Sequence, residues 1–341
     1  MAAMDEPRLL ASLEDSGPLA VFEGFPREDL ERLFGGWRLR WGLAAEGPEA
    51  LYRIQRIPWS GPEEGAALPG AREGHLQWMP GEEDTLSGTG GRLRLAPGRP
   101  LARVAVDPAC AEGGALGDLL GAALMHALAL QGRLALHGMA ALLGGTGVVA
   151  LGDSQSGKST LALACLRAGG RILTDDHLLV DPASRPPGLR ALRRDLRLRG
   201  GSRSLVPSAL APLLQEEDPP GRCFLPRDAA PQAFLESLTP QRLLILAPDP
   251  RPSRLEVVPL EQARTLSGAL RAASPLFHSG RYAAERAGLW PSLQALVEHL
   301  PSFLVALGPD LLADPEGVLA ELLEQTAGGP GGPPAGSQSP Q

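Results

Sequence analysis

Val148-Val149-Ala150-Leu151, followed by Gly152-Asp153-Ser154-Gln155-Ser156-Gly157-Lys158-Ser159-Thr160 and then Leu161-Ala162-Leu163, is the stretch from which the fold is read. An apolar run, a polar loop between two glycines and a second apolar segment predict a strand, a loop and a helix opening near Gly157. The loop fits the pattern G-x-x-x-x-G-K-[ST], in which backbone N–H groups converge on phosphate oxygens and the first turn of the helix adds its positive dipole end. Lys158 is the only lysine among 32 basic residues. Arginine serves everywhere else, yet a broad, flat guanidinium does not suit a slot made for a compact ammonium that reaches β and γ phosphates. Gly152 through Thr160 is therefore the expected nucleotide-binding segment, and the Ser159 hydroxyl is expected on Mg2+.

Upstream, the apolar run from Arg133 to Leu143 is joined by Gly144-Gly145-Thr146-Gly147 to Val148–Leu151. Two apolar runs around a four-residue glycine-rich turn predict a β-hairpin whose second strand feeds the loop. Downstream, the helix over about residues 157–168 is stopped by Gly169-Gly170, and Arg171-Ile172-Leu173-Thr174 reads as a buried strand ending at Asp175-Asp176. A hard cation at such a loop needs a carboxylate close by, and an acid at the end of the next strand is placed to supply it. Two adjacent acids allow a division of labour, with one on the metal and the other accepting the proton of an attacking hydroxyl.

The 341 residues, 43% of them hydrophobic, suit one large or two ordinary domains with a substantial core. A net charge of −7 argues against a nucleic-acid partner, although the arginines cluster between Arg185 and Arg203. Cys110, Cys165 and Cys223 lie far apart without a C-x-x-C pair, so neither a disulfide framework nor a cysteine zinc site is expected, and a reducing cytoplasm is the expected location. The first twenty residues carry charges through their apolar positions and do not read as a signal peptide. Leu116–Leu130 is too short to span a bilayer and reads as a buried helix, so no membrane partner is expected.

Residues 1–110 are expected to form a β-rich region. Trp37–Trp41, Leu51–Ile54, His75–Met79, Arg92–Leu95 and Ala102–Val106 alternate with a period of two, as half-buried antiparallel strands do, and a short amphipathic helix is expected near Arg27–Phe34. The tryptophans of this region are expected to fill its core. Residues 111–326 are expected to form the phosphate-loop domain. There Leu243–Ala247 and Leu255–Val258 add strands, and residues 260–273, 282–287, 291–300 and 315–325 show helical spacing. Residues 327–341, rich in Gly, Pro, Ser and Gln, are expected to be a disordered tail. The fold class expected from this order is α/β (α+β), a mixed central sheet with flanking helices.

Leu136-His137-Gly138, the hairpin, the loop with Gly157-Lys158-Ser159-Thr160-Leu161-Ala162-Leu163, and Gly170-Arg171-Ile172-Leu173-Thr174-Asp175-Asp176 together resemble the catalytic domain of the bacterial HPr serine kinase/phosphorylase family. The likeness is greatest to its diverged, HPr-kinase-like members, and phosphoenolpyruvate carboxykinases have a similar phosphate loop and acid pair. It runs from Leu134 to Asp181; the rest of the chain follows in general layout only. The resemblance implies an HPr-kinase-like domain with Asp175 as general base toward a serine hydroxyl, Asp176 as the Mg2+ partner with Ser159, and His137 near the transferred phosphate. His177 is expected to point away along the next strand. The chain departs from the family at Gln155, where the family has Gly, and at Thr160, where it has Glu. The family's glutamate-bearing segment after the acids is not found; Leu196–Gly201 lies near that place, with Asp195 the nearest acid. HPr itself and the reverse phosphorylase reaction are therefore not the expected targets. Arg199 and Arg227 are candidates for neutralising phosphate charge.

The expected activity is transfer of the γ-phosphoryl group of ATP, with Mg2+, to a serine-type hydroxyl on a peptide, small protein or small molecule. Hydrolysis of a nucleoside triphosphate and a catalytically silent nucleotide sensor in a biosynthetic or regulatory complex are the alternatives. Family members are often oligomeric, so a homo-oligomer is among the expected states.

Overall fold

The computed structural model describes residues 8–14, 17–43, 52–58, 60, 77–79, 83–88, 90–107, 114–216, 222–247, 252–273 and 282–327. The tail expected over 327–341 lies outside the described residues from 328 onward, as does Cys110. The chain divides into two compact units, residues 1–132 with 279–288, and residues 133–278 with 289–341. Among the described residues no helix is long and apolar enough to cross a membrane.

The first unit holds β1 (Leu9–Leu13), β2 (Gly17–Glu23), α1 (Arg27–Phe34), β3 (Leu39–Leu43), β4 (Tyr52–Arg56), β5 (Gln77–Met79), β6 (Asp84–Gly88), β7 (Gly91–Leu95), β8 (Leu101–Val106) and α2 (Gly114–Leu130). The strands form one sheet in the order β3-β1-β2-β4-β8-β7-β6-β5. It is not wholly antiparallel as expected, because β2, β4 and β8 run parallel. The segment from α1 through β3 is the long connection that a parallel β2–β4 pair requires. Phe22 lies edge-on to Phe25, Phe34 and Trp41, with ring centroids 5.8, 6.2 and 5.2 Å away, so Trp41 joins the core as expected. The nearly all-apolar α2 packs on β2, β7 and β8, which carries this unit past the boundary at residue 110 read from the sequence.

The second unit is built on β9 (Ala135–Leu143), β10 (Thr146–Leu151), α3 (Lys158–Arg167), β11 (Arg171–Thr174), β12 (His177–Asp181) and β13 (Gly188–Ala191). Then come β14 (Leu196–Arg199), β15 (Gln215–Glu216), β16 (Arg222–Leu225), β17 (Ser237–Leu238), β18 (Arg242–Leu246), β19 (Glu256–Pro259), α4 (Gln262–Ala272), α5 (Ala283–His299, in this unit from Leu289), β20 (Ser302–Ala306), α6 (Asp310–Ala313) and α7 (Pro315–Gln325). The main sheet runs β17-β13-β12-β9-β10-β18-β20-β19, with β11 also on β9; β14, β16 and β15 form a small separate sheet. Parallel pairs β10–β18 and β18–β20 beside the antiparallel β9–β10 pair make the central sheet mixed, as expected for this α/β chain. One face of α3 packs Leu161 and Cys165 into a core shared with Val148, Ala150, Leu244 and Phe303 of the sheet and Leu319 of α7.

The β9–β10 turn is tighter than the four residues expected. Leu143 pairs with Thr146, so only Gly144 and Gly145 form it, and their φ values of 51° and 85° match the left-handed pair that a two-residue turn needs. Residues 282–287 and 291–300, read as two helices, are one helix, α5, running through Pro291. A proline inside a helix removes one N–H donor, which is why sequence reading breaks there. Strands β1, β2, β6, β16, β17 and β20 were not anticipated.

One edge of β9 positions the site. Its C-terminal half pairs with β11 (Arg171↔Leu142, Ile172↔Ala141) and its N-terminal half with β12 (His177↔His137, Leu178↔Leu136). Asp175 and Asp176 fill the break between these two strands, and the Gly138 N–H donates to the Asp176 carbonyl at 2.7 Å to close it. A Cβ at Gly138 would stand 2.5 Å from Leu151 Cδ2 and 3.1 Å from the Ala150 carbonyl. Gly138→Ala should therefore lower stability by about 1–3 kcal/mol of overpacking. Urea denaturation checks this, and an unchanged midpoint would show that the strand break tolerates a side chain.

Candidate functional site

β10 ends at Leu151 and α3 begins at Lys158, so Gly152 to Gly157 turn the chain from sheet to helix. Gly157, with φ of 102°, caps α3 without any side-chain hydrogen bond, which leaves the first N–H groups of the helix available to an anion. Gln155 has φ of 68°, left-handed backbone that costs a non-glycine residue about 1–2 kcal/mol. This is the position at which the resembled family carries glycine. The Ser156 N–H donates to the Asp153 carbonyl at 3.2 Å, folding the loop onto itself, and the Ser156 Oγ is buried without a hydrogen-bond partner. Thr160 lies in the first turn of α3.

Lys158 is 6% exposed, and its Nζ donates to the Gly152 and Asp153 carbonyls at 2.7 and 2.9 Å. Burial lowers its pKa to about 8, against the opposing charges of Asp176, Asp153 and Asp175. Among the described residues the ammonium hydrogen-bonds only these loop carbonyls, neutral acceptors that an incoming anion would replace with charge-assisted ones.

The two acids occupy different surroundings. Asp175 is 5% exposed; its Oδ2 accepts from the Ser159 hydroxyl at 2.7 Å and its Oδ1 is buried without a partner among the described residues. Burial, with the charge of Asp176 beside it, pushes its pKa up to about 7. Asp176 Oδ1 lies 3.0 Å from both the His137 and the His177 Nδ1, and its Oδ2 accepts from Arg193 at 2.7 Å. Burial alone would raise the Asp176 pKa, but the charges and hydrogen bonds of His177, His137 and Arg193 outweigh it and hold the carboxyl well below its ordinary range. Partial desolvation lowers the His137 pKa, opposed by its bond to Asp176.

Ser159 therefore meets Asp175 and not Asp176, the acid with which the resemblance pairs it. A hydroxyl and a carboxylate in contact, with one carboxylate oxygen unsatisfied, fit a hard cation such as Mg2+, which takes oxygen ligands. His177, expected to point away, stands beside His137 with ring centroids 5.5 Å apart. Directly paired residues of antiparallel strands share a face, and β12 continues along the edge of β9 that β11 begins. Arg193 was not singled out as part of the site, and Asp195 was named only as the nearest acid at the place of the family's glutamate. Arg193 bridges Asp176 to the nearly buried Asp195, whose Oδ1 accepts from its Nε at 3.0 Å. Their signal lay only in the charged run Arg193-Arg194-Asp195. Arg227, a candidate for phosphate charge, ion-pairs with Glu236, and the side chain of Arg199 lies outside the described residues.

No protein-family model matches this chain, and neither does any curated protein. Among solved structures, the Hpr(Ser) kinase/phosphatase from Coxiella burnetii is similar at 14% identity, covering 57% of this chain and 99% of that one, with a TM-score of 0.30. So loose a likeness assigns no role to any residue here.

The charge state of Asp175 can be read in stability. Its folded pKa of about 7 exceeds the ordinary 3.8, so between these values the native state holds a proton that the unfolded chain has lost. That contribution is fully present below the ordinary value and is lost as pH rises through the folded one. In the presence of a chelator, Asp175→Asn should therefore gain stability relative to the unsubstituted protein on going from about pH 5 to about pH 8. Thermal melts at the two pH values check this, and a difference independent of pH would show that Asp175 ionises normally.

Proposed function

We propose that this chain is an ATP- and Mg2+-dependent kinase that transfers the γ-phosphoryl group to a serine-type hydroxyl. The observation that carries the reading is the contact of the Ser159 hydroxyl with Asp175 at the start of α3, where Asp175 Oδ1 and Ser156 Oγ are both buried without partners among the described residues. Unsatisfied buried acceptors are rare unless a ligand or ion completes them.

In this reading the loop amides from Ser154 to Ser159 hold the phosphates, and Lys158 exchanges its carbonyl partners for β and γ oxygens. Ser159 and Asp175 Oδ2 would hold Mg2+, which would supply neutralisation of phosphate charge when bound. The attacking hydroxyl gives its oxygen to the γ phosphorus and its proton to Asp175 Oδ1, while ADP leaves with the bridging oxygen. Asp175, with one oxygen on the Ser159 hydroxyl and the other without a partner among the described residues, is placed to take that proton, whereas Asp176 is committed to Arg193 and the two imidazoles. Asp176, gripped by Arg193, keeps the His137 ring turned toward the acid pair. Most of the acceleration comes from positioning and charge neutralisation.

The test is incubation with γ-labelled ATP, Mg2+ and a library of serine-containing peptides, beside Asp175→Asn. Label should appear in peptide, and the substitution should slow transfer on the order of 10²–10⁴-fold, the span of general-base catalysis. Free phosphate without labelled peptide would replace the kinase by a hydrolase, ATP binding without either product would leave a sensor, and transfer unaffected by Asp175→Asn would remove Asp175 from the chemistry.

A further inference from the structure

We propose that His137, Asp176 and His177 form a binding site for a divalent transition-metal ion of the Zn2+ class, formed by other donors than the Ser159–Asp175 oxygen pair. The inference stands on strand register and donor chemistry, not on nucleotide binding.

The register carries it first. His177 and His137 are direct partners across β12 and β9, so their rings leave the sheet on one face. Asp176 is the residue before His177, in the break between β11 and β12, and there its carboxylate reaches both rings. The two Nδ1 atoms each lie 3.0 Å from Asp176 Oδ1, and the three donor atoms lie within 4.8 Å of one another. A tetrahedral ion with ligands at about 2.0–2.2 Å separates its donors by roughly 3.3–3.5 Å. Small rotations of two rings would close the set.

The donor types choose the metal. Two imidazole nitrogens and one carboxylate oxygen suit Zn2+ and its neighbours, whereas Mg2+ prefers oxygen alone and keeps much of its water. Coordination through Nδ1 leaves each ring proton on Nε2 and Asp176 as the single negative ligand. The second oxygen of Asp176 is held by Arg193 at 2.7 Å, and Arg193 is held in turn by Asp195. Such outer partners fix a ligating carboxylate and tune its ion. The His137 side chain is 43% exposed and that of His177 23%, which leaves a route in and room for a fourth ligand from solvent. Three protein ligands with one open position are the arrangement of catalytic rather than purely structural zinc. The histidines are about forty residues apart in sequence, so no short ligand-spacing motif announces them.

The test uses the full, untagged chain, stripped with chelator and free of nucleotide. Titration with Co2+ should give a visible ligand-field spectrum that saturates at one equivalent, is displaced by Zn2+ and survives a large excess of Mg2+. His137→Ala and His177→Gln should each weaken binding at least about 10- to 100-fold, the span for loss of even an outer-shell partner. His299→Ala, on the exposed end of α5, should leave it unchanged. Zn2+ should also raise the melting temperature of the unsubstituted protein, a readout that needs no variant to fold. Lys158→Ala should keep the Co2+ spectrum while losing ATP, so failure of the kinase reading and failure of this one are distinguishable. Absence of a saturable spectrum, binding unchanged in both folded histidine variants, or displacement by Mg2+ at equal concentration would each overturn the proposal.

Discussion

The hydrogen bond from the Gly138 N–H to the Asp176 carbonyl is the constraint on which the site depends. β9 has one free edge beside the hairpin, and two short strands share it, with the acid pair in the gap. That bond ties the gap to β9 and so helps to set where both carboxylates stand relative to the phosphate loop. The same bond explains the glycine: a residue that packs against Leu151, Ala150 and Leu178 at once has no room for a Cβ. Loop and acids are thereby referred to one strand pair, because β10, which ends in the loop, is the other neighbour of β9.

Two adjacent carboxyls in a buried gap cannot ionise with equal ease. The fold separates them by their partners. Asp176 receives Arg193 and two imidazoles and stays charged, while Asp175 receives one hydroxyl and has its pKa pushed up to about 7. Environments that drive two neighbouring acids apart mark the assignment of roles in many enzymes. Here they distinguish an acid able to exchange a proton or meet a hard cation from one committed to nitrogen partners. The buried ammonium of Lys158 completes the picture, since its hydrogen-bond acceptors among the described residues are neutral carbonyls.

What depends on neighbours along the chain was legible in the sequence. The loop, α3, its stop at Gly169-Gly170 and the hairpin follow from glycine placement and apolar spacing, and α1 and α7 have the expected bounds. What depends on distant pairing was not. Nothing local tells that β2 and β4 run parallel, or that a proline leaves α5 continuous. His177 is the instructive case within the site. It was expected to point away along the next strand, and only the register against β9 shows that it shares a face with His137. The pairing of Ser159 with Asp175 was hidden for a similar reason, because adjacent acids look alike until the bend between β11 and β12 turns them to different partners.

The central claim is that the Gly152–Ser159 loop binds nucleotide phosphate through Lys158. Titration calorimetry of ATP with excess Mg2+ into the protein and into Lys158→Met tests it most directly. The account predicts saturable binding at one site, weakened roughly 10- to 100-fold in the variant by loss of a charge-assisted hydrogen bond of about 1.5–3 kcal/mol, and no comparable binding of adenosine. No saturable heat from ATP, or equal affinity in the two proteins, would contradict it.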